Sequence, residues 1–178
     1  MLIVVEGNIG AGKSSFISEI RRLARADGVD IRVIDEPIEM WKKCRNKKGT
    51  AALEEYYEDI EGTSFQFQMM AYISRVAMIS SMYNSKKICI AERTPLSTLK
   101  VFGEMLVKDG MITESQQQFL KTIEGMLSYM PPNSKTIFLD TEPHICHTNV
   151  LKRKDSSPPT LEYIYNLGKA YELSLIHI

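Results

Sequence analysis

Three groups of residues could carry chemistry. The first is the run Gly7-Asn8-Ile9-Gly10-Ala11-Gly12-Lys13-Ser14-Ser15, which follows the apolar stretch Leu2 to Val5 and opens a helical one. Gly-x-x-x-x-Gly-Lys-Ser between a strand and a helix predicts a P-loop. Glycines let successive backbone N–H groups turn inward on phosphate oxygens, and the helix N-terminus adds its positive dipole end. Lys13 is expected on the terminal phosphates and the Ser14 hydroxyl on magnesium. This predicts a nucleoside triphosphate, ATP with Mg2+, as the expected donor and leaves the acceptor open.

The second group lies at the carboxyl ends of the other apolar runs. Ile31 to Ile34 leads into Glu36-Pro37-Ile38-Glu39-Met40-Trp41, Lys87 to Ala91 into Glu92-Arg93-Thr94, and Lys135 to Leu139 into Asp140. Open parallel sheets bind ligands beyond these ends. A carboxylate facing a triphosphate is costly unless it holds a cation or accepts a proton. Glu36 is therefore a candidate general base, Glu92 a candidate magnesium holder, and Arg93 a stabiliser of the transferring phosphoryl group. Solvated strand-end residues are the plain alternative. The third group is Gln68 and Arg75, seven apart on one face of the apolar stretch Ser64 to Tyr83. Buried, they need partners: either a planar base or a polar network within the protein.

The elements that must position these groups alternate. Helical stretches Ser14–Ala26, Leu53–Ile60, Ser64–Tyr83, Thr94–Val107, Thr113–Tyr129, Thr141–Leu151 and Leu161–Tyr171 separate and follow the four apolar runs. That order predicts an α/β fold, a parallel sheet with helices on both faces. Lys47-Lys48-Gly49, Met130-Pro131-Pro132-Asn133 and Ser156-Ser157-Pro158-Pro159 read as loops.

A chain of 178 residues fits one domain. A formal net charge of zero gives no argument for nucleic acid or an anionic membrane as partner. Cys44, Cys89 and Cys146 are too few and scattered for a disulfide framework. No stretch reaches a membrane span, and a strand beginning at residue 2 leaves no room for a leader, so the cytoplasm is expected. His144, Cys146 and His147 match no standard zinc spacing, and Lys42 to Lys48 reads as a solvated basic loop.

In combination these motifs resemble the deoxynucleoside kinase family: Gly7 to Ser15, Glu36 to Trp41, Phe65-Gln-Phe-Gln68 with Ser74-Arg75, Glu92-Arg93-Thr94, and Leu161-Glu162-Tyr163, in the family's order and spacing. The resemblance spans residues 1–172 and implies a P-loop kinase fold that phosphorylates the 5′-hydroxyl of deoxynucleosides from ATP. By resemblance, Glu36 is the base on that hydroxyl, Arg93 sits at the transferred phosphate, and Glu92 helps hold magnesium. Gln68 pairs with the nucleobase, with Arg75 and Thr98 also at the base site. Tyr57, with Leu53 beside it, meets the sugar 3′-hydroxyl, while Trp41, Phe67 and Phe102 line the slot. A lid near residues 152–160 brings Arg153 onto the phosphates. A homodimer is implied as well.

Three departures stand out. Thr98 occupies the position where deoxycytidine and deoxyguanosine kinases have an aspartate paired with the base-site arginine, so Arg75 lacks that partner. The lid is short, with Asn149 and Asp155 where arginines are common. A fifth strand is missing after the lid helix, which would expose a strand edge. Residues 173–178, Leu-Ser-Leu-Ile-His-Ile, match translation of a transposase sequencing adaptor, so a C-terminally truncated copy is expected. A nucleoside monophosphate kinase, or a nucleotide-binding module without turnover, are the rival functions. The first predicts cationic clamps where Glu36 stands.

Overall fold

The structure is a computed structural model that describes residues 1–82, 85–127, 130–131, 133–155 and 157–175. The expected helix ends Tyr83 and Tyr129, the loop residues Pro132 and Ser156, and residues 176–178 lie outside the described residues.

Four parallel strands form one sheet: β1 (Leu2–Gly7), β2 (Ile31–Ile34), β3 (Ile88–Glu92) and β4 (Lys135–Leu139), in the order β2-β3-β1-β4. The pairing Val5↔Glu92 and Gly7↔Leu139 brings the carboxyl ends of β3 and β4 to the mouth of β1. Alternation along β1 covers both faces of the sheet. Val5 packs with Ile90 against Ile17 of α1 (Lys13–Ala26), while Leu2 and Val4 pack with Ala91 against Ile79 of α4 (Ile60–Ser80). Among the described residues no strand follows β4, whose residues Lys135 and Thr136 are exposed.

A second apolar cluster lies off the sheet and builds the wall facing the P-loop. It joins Trp41 of α2 (Ile38–Lys43), Tyr56 of α3 (Ala52–Glu58), Phe67 and Tyr72 of α4, and residues of two later segments. The first runs from Pro95 to Lys108 and the other is α9 (Leu161–Leu175). α7 (Glu114–Leu127) closes the cluster through Leu120.

Four local differences from the sequence reading stand out. Residues 38–43 form a helix, since Pro37 sets the turn and Trp41 buries its ring while its Nε1 donates to Ser74 Oγ at 3.1 Å. α4 begins at Ile60, because the Asp59 carboxylate accepts from Gly62 N at 3.0 Å and caps it there. The stretch Thr94–Val107 is three pieces: α5 (Pro95–Ser97), a π-helical segment Thr98–Gly103, and α6 (Glu104–Lys108). α9 passes Tyr171 and runs through Leu175; within it Ser174 is buried and donates to Lys100 O at 3.0 Å.

Candidate active site

The P-loop sits where β1 meets α1. Gly10 and Gly12 have φ of 82° and 91°, the left-handed region, and a side chain at Gly10 would overlap the Cys146 carbonyl of α8 (Pro143–Leu151). Asn149 of the same helix donates to Gly10 O at 2.9 Å, so α8 holds the loop from outside. Lys13 is buried and curls over its own loop, donating to Gly7 O at 3.1 Å and Asn8 O at 2.7 Å. Burial, then the Arg93 charge, lower its pKa to about 7; Glu92 and Glu36 oppose that shift. Ser14 Oγ donates to Glu92 Oε2 at 2.9 Å, and Lys13 Nζ lies 3.9 Å from Glu92 Oε1. Asn8 turns inward, donating to Ile164 O of α9 at 2.9 Å, and Ser15 is exposed. The side chains of these two residues serve the scaffold and the surface; the loop uses their backbone.

Across a cavity of about 220 Å³ from the P-loop stand groups from the ends of β2 and β3 and from α4. Glu36, just after β2, accepts on Oε1 from Arg93 NH1 at 2.8 Å and from Arg75 NH2. Burial alone would raise its pKa. The charges of Arg93, Arg75 and Lys13 outweigh that and hold it at about 2. Arg93 has φ of 64°, a left-handed conformation rare for a non-glycine residue. Its backbone N–H donates to Val5 O at 3.0 Å, and its Nε to the Tyr171 hydroxyl at 3.2 Å. Tyr171 in turn donates to Glu6 Oε2 at 3.2 Å. Glu6 Oε1 also accepts from Thr94 N and Ser97 Oγ, both at 2.8 Å. A buried carboxylate in β1 thus anchors the turn after β3 and, through Tyr171, the guanidinium of Arg93.

The cavity brings together Lys13, Ser14 and Arg153 with Glu36, Glu92 and Arg93. Farther in, Trp41, Leu53, Tyr57, Phe67, Gln68, Arg75 and Phe102 line it. Phe67 stacks on Tyr56 at 4.6 Å and meets Trp41 edge-on at 5.3 Å. Arg75 lies over the Trp41 ring at 5.1 Å, and Arg93 over Phe102 at 5.3 Å. Tyr57 meets Tyr163 edge-on, and burial drives its phenol far above the usual range. Gln68 Oε1 and Arg75 Nε are buried with no hydrogen-bond partner among the described residues.

Thr98 does not line the cavity. It is buried behind Arg75, and its Oγ1 accepts from Arg75 NH1 at 2.7 Å. Arg75 takes Glu36 as its ion-pair partner. Sequence reasoning missed Glu6, Tyr56 and Tyr171. Glu6 carried a signal, an acid continuing an apolar strand into the glycine loop. Tyr171 carried none, since its place depends on how α9 docks.

The chain matches the family model "Deoxynucleoside kinase" over residues 3–178. It belongs to the deoxynucleoside kinase family. Human deoxycytidine kinase is 27% identical over 98% of this chain and 75% of its own length. The thymidine kinase of Ictalurid herpesvirus 1 is 27% identical over 97% of this chain and 73% of its own. A putative kinase, protein 029R of Invertebrate iridescent virus 3, is 27% identical over 98% and 82%. The deoxynucleoside kinase assignment makes the chain a phosphotransferase, with ATP as donor and a nucleoside as acceptor. No helix among the described residues is long and apolar enough to cross a membrane.

Proposed function

We propose that this kinase transfers the γ-phosphoryl group of ATP to the 5′-hydroxyl of a deoxynucleoside, with Glu36 accepting the hydroxyl proton. The observation that carries this reading is the placement of Glu36 and Arg93 in one cavity with Lys13, while Gln68 and Arg75 line its inner part. Phosphoryl transfer through a loose transition state asks mainly for alignment and charge neutralisation. Lys13, Arg93 and Arg153 supply the positive charge. Glu36 orients the hydroxyl and takes its proton once oxygen–phosphorus bonding has made that proton acidic. A carboxylate held near pKa 2 is a weak base, so orientation is its larger share.

Ser14 and Glu92 fit magnesium, since a hydroxyl and a carboxylate oxygen meet beside the lysine and both are hard donors. Bound there, the ion would neutralise phosphate charge. Tyr57 and Leu53 flank the sugar, and Trp41, Phe67 and Phe102 enclose the base. The backbone of Gly7, Asn8, Ile9, Gly10, Ala11, Gly12 and Ser15 wraps the phosphates. Relatives named for deoxycytidine and for thymidine leave the base open.

A homodimer through α4 and α7 is supported by exposed Ile73, Phe119 and Met126 on those helices. Three free cysteines support a cytoplasmic protein. Incubating the purified chain with ATP, magnesium and each deoxynucleoside tests the reading, with 5′-monophosphate as the expected product. Absence of product from all of them would sink it.

A further inference from the structure

We propose that the outer edge of β2 is a docking slot for an extended segment of alternating apolar and acidic residues, which adds to the sheet as a further strand. The slot is separate from the active site and does not depend on the kinase reading.

The sheet stops at β2. Among the described residues nothing pairs with the outer edge of this strand. Unpaired N–H and C=O groups along an edge are a template for another strand. A groove of about 680 Å³ has Ile31, Arg32 and Val33 of β2 in its lining. Alternation sends successive side chains to opposite faces of the sheet. Ile31 and Val33 pack toward Ile17 of α1, whereas Ile34 packs with Ile79 of α4. The two helices therefore wall the groove from opposite faces, and the strand edge lies between them.

The two walls differ in chemistry. On the α1 side Ala24 joins half-buried Ile31 and Val33 and exposed Val29. On the α4 side Arg32 donates to Ser81 O and Ser81 Oγ, both at 3.4 Å. A strand laid beside β2 would set one set of alternate side chains next to Ile31 and Val33, and the other next to Arg32. Apolar residues suit the first set.

Charge selects the second. Arg21, Arg25, Arg32 and Lys87 line the groove against one carboxylate, that of Asp30. Arg21 is held by Asp35 at 3.0 Å, and Lys87 by Asp30 at 2.6 Å. Arg25 and Arg32 are exposed and have no carboxylate partner among the described residues. Acidic side chains would supply those partners. The same cations turn away a basic strand, and they turn away this edge in a second copy, which would bring its own Arg32. The partner is thus an acidic segment of another protein.

The probe is a capped peptide of about eight residues alternating glutamate and valine, with its lysine–valine counterpart beside it, followed by the anisotropy of a dye on the peptide. The wild-type chain should bind the glutamate peptide at about 50 mM salt, at least about tenfold more weakly at about 0.5 M, and the lysine peptide not at all. Only alternate residues of an added strand turn their N–H groups to the sheet. N-methylation of one alternate set should therefore abolish binding, and of the other set spare it. Arg25→Glu with Arg32→Glu should weaken binding about tenfold or more and leave turnover unchanged, since neither residue lines the catalytic cavity. Arg25→Gln with Arg32→Gln, expected to cost a few-fold, serves should charge reversal harm folding. Binding of neither peptide, or of both equally, overturns the proposal. Indifference to both methylation patterns also overturns it, and leaves a small-anion site if inorganic triphosphate displaces the peptide. Binding unmoved by either double variant puts the peptide elsewhere and refutes the slot.

Discussion

The two walls of the cavity are built on different principles. The donor wall is mostly backbone: glycine dihedrals, a helix N-terminus, and a lysine resting on its own loop's carbonyls. The acceptor wall is mostly side chains, with Glu36, Arg75 and Arg93 holding one another through buried ion pairs and Tyr171 and Glu6 behind them. A backbone cradle forms whenever the strand and helix form, and it tolerates an empty site. A charge network holds its shape only while every member is present. Changes on the donor wall should therefore cost activity alone, whereas changes on the acceptor wall should cost activity and stability together.

The sharpest way to break this contrast is Glu36→Gln. Two buried guanidiniums lose their shared anion, so we expect a destabilisation of about 3–5 kcal/mol by denaturant titration and a fall in kcat of about 10²–10⁴. Lys13→Met should lower kcat by about 10²–10³, while its unfolding midpoint holds or rises, because burial already disfavours the Lys13 charge. A Lys13→Met protein as unstable as Glu36→Gln would end the contrast.

Tyr171→Phe retains the ring against Phe102 and Phe138 but cuts the link from Arg93 to Glu6. Here kcat should drop about tenfold with the nucleoside KM nearly unchanged. A change confined to KM would show that Arg93 does not need this support. The smallest effect concerns protons. With a pKa near 7, Lys13 is mostly neutral in the free protein at about pH 8, and phosphate oxygens favour its charged form. ATP binding should then take up close to one proton, and affinity should rise as pH falls toward 7. Calorimetry in buffers of differing ionisation enthalpy reads this directly, and Lys13→Met should abolish the uptake.

Much of the donor wall was legible beforehand. Gly-x-x-x-x-Gly-Lys-Ser encodes a local structure, and its strand and helix are contiguous in the chain. Glu36, Glu92 and Arg93 were legible because parallel strands deliver their carboxyl ends to one edge. The pairing of Arg75 with Glu36 was not, because it depends on the distance between α4 and the end of β2, which no local pattern encodes. The same holds for Tyr171, 165 residues from Glu6, its hydrogen-bond partner. The break in the stretch Thr94–Val107 was invisible for a different reason. A π turn uses the same residue types as an α turn and differs by one residue in the ring it closes.

That π-helical segment, Thr98–Gly103, bears on how this enzyme can be re-engineered. It begins at the partner of Arg75 and contains Phe102, which lies under Arg93. A wide turn spends one residue more than the regular helix would. Removing a single residue there would let the helix regularise and bring Thr98 one residue closer to Phe102 along it. Segments exchanged with other kinases at this point must therefore match in length as well as in chemistry. A deletion would detune base recognition from phosphate alignment like a gear that has skipped one tooth.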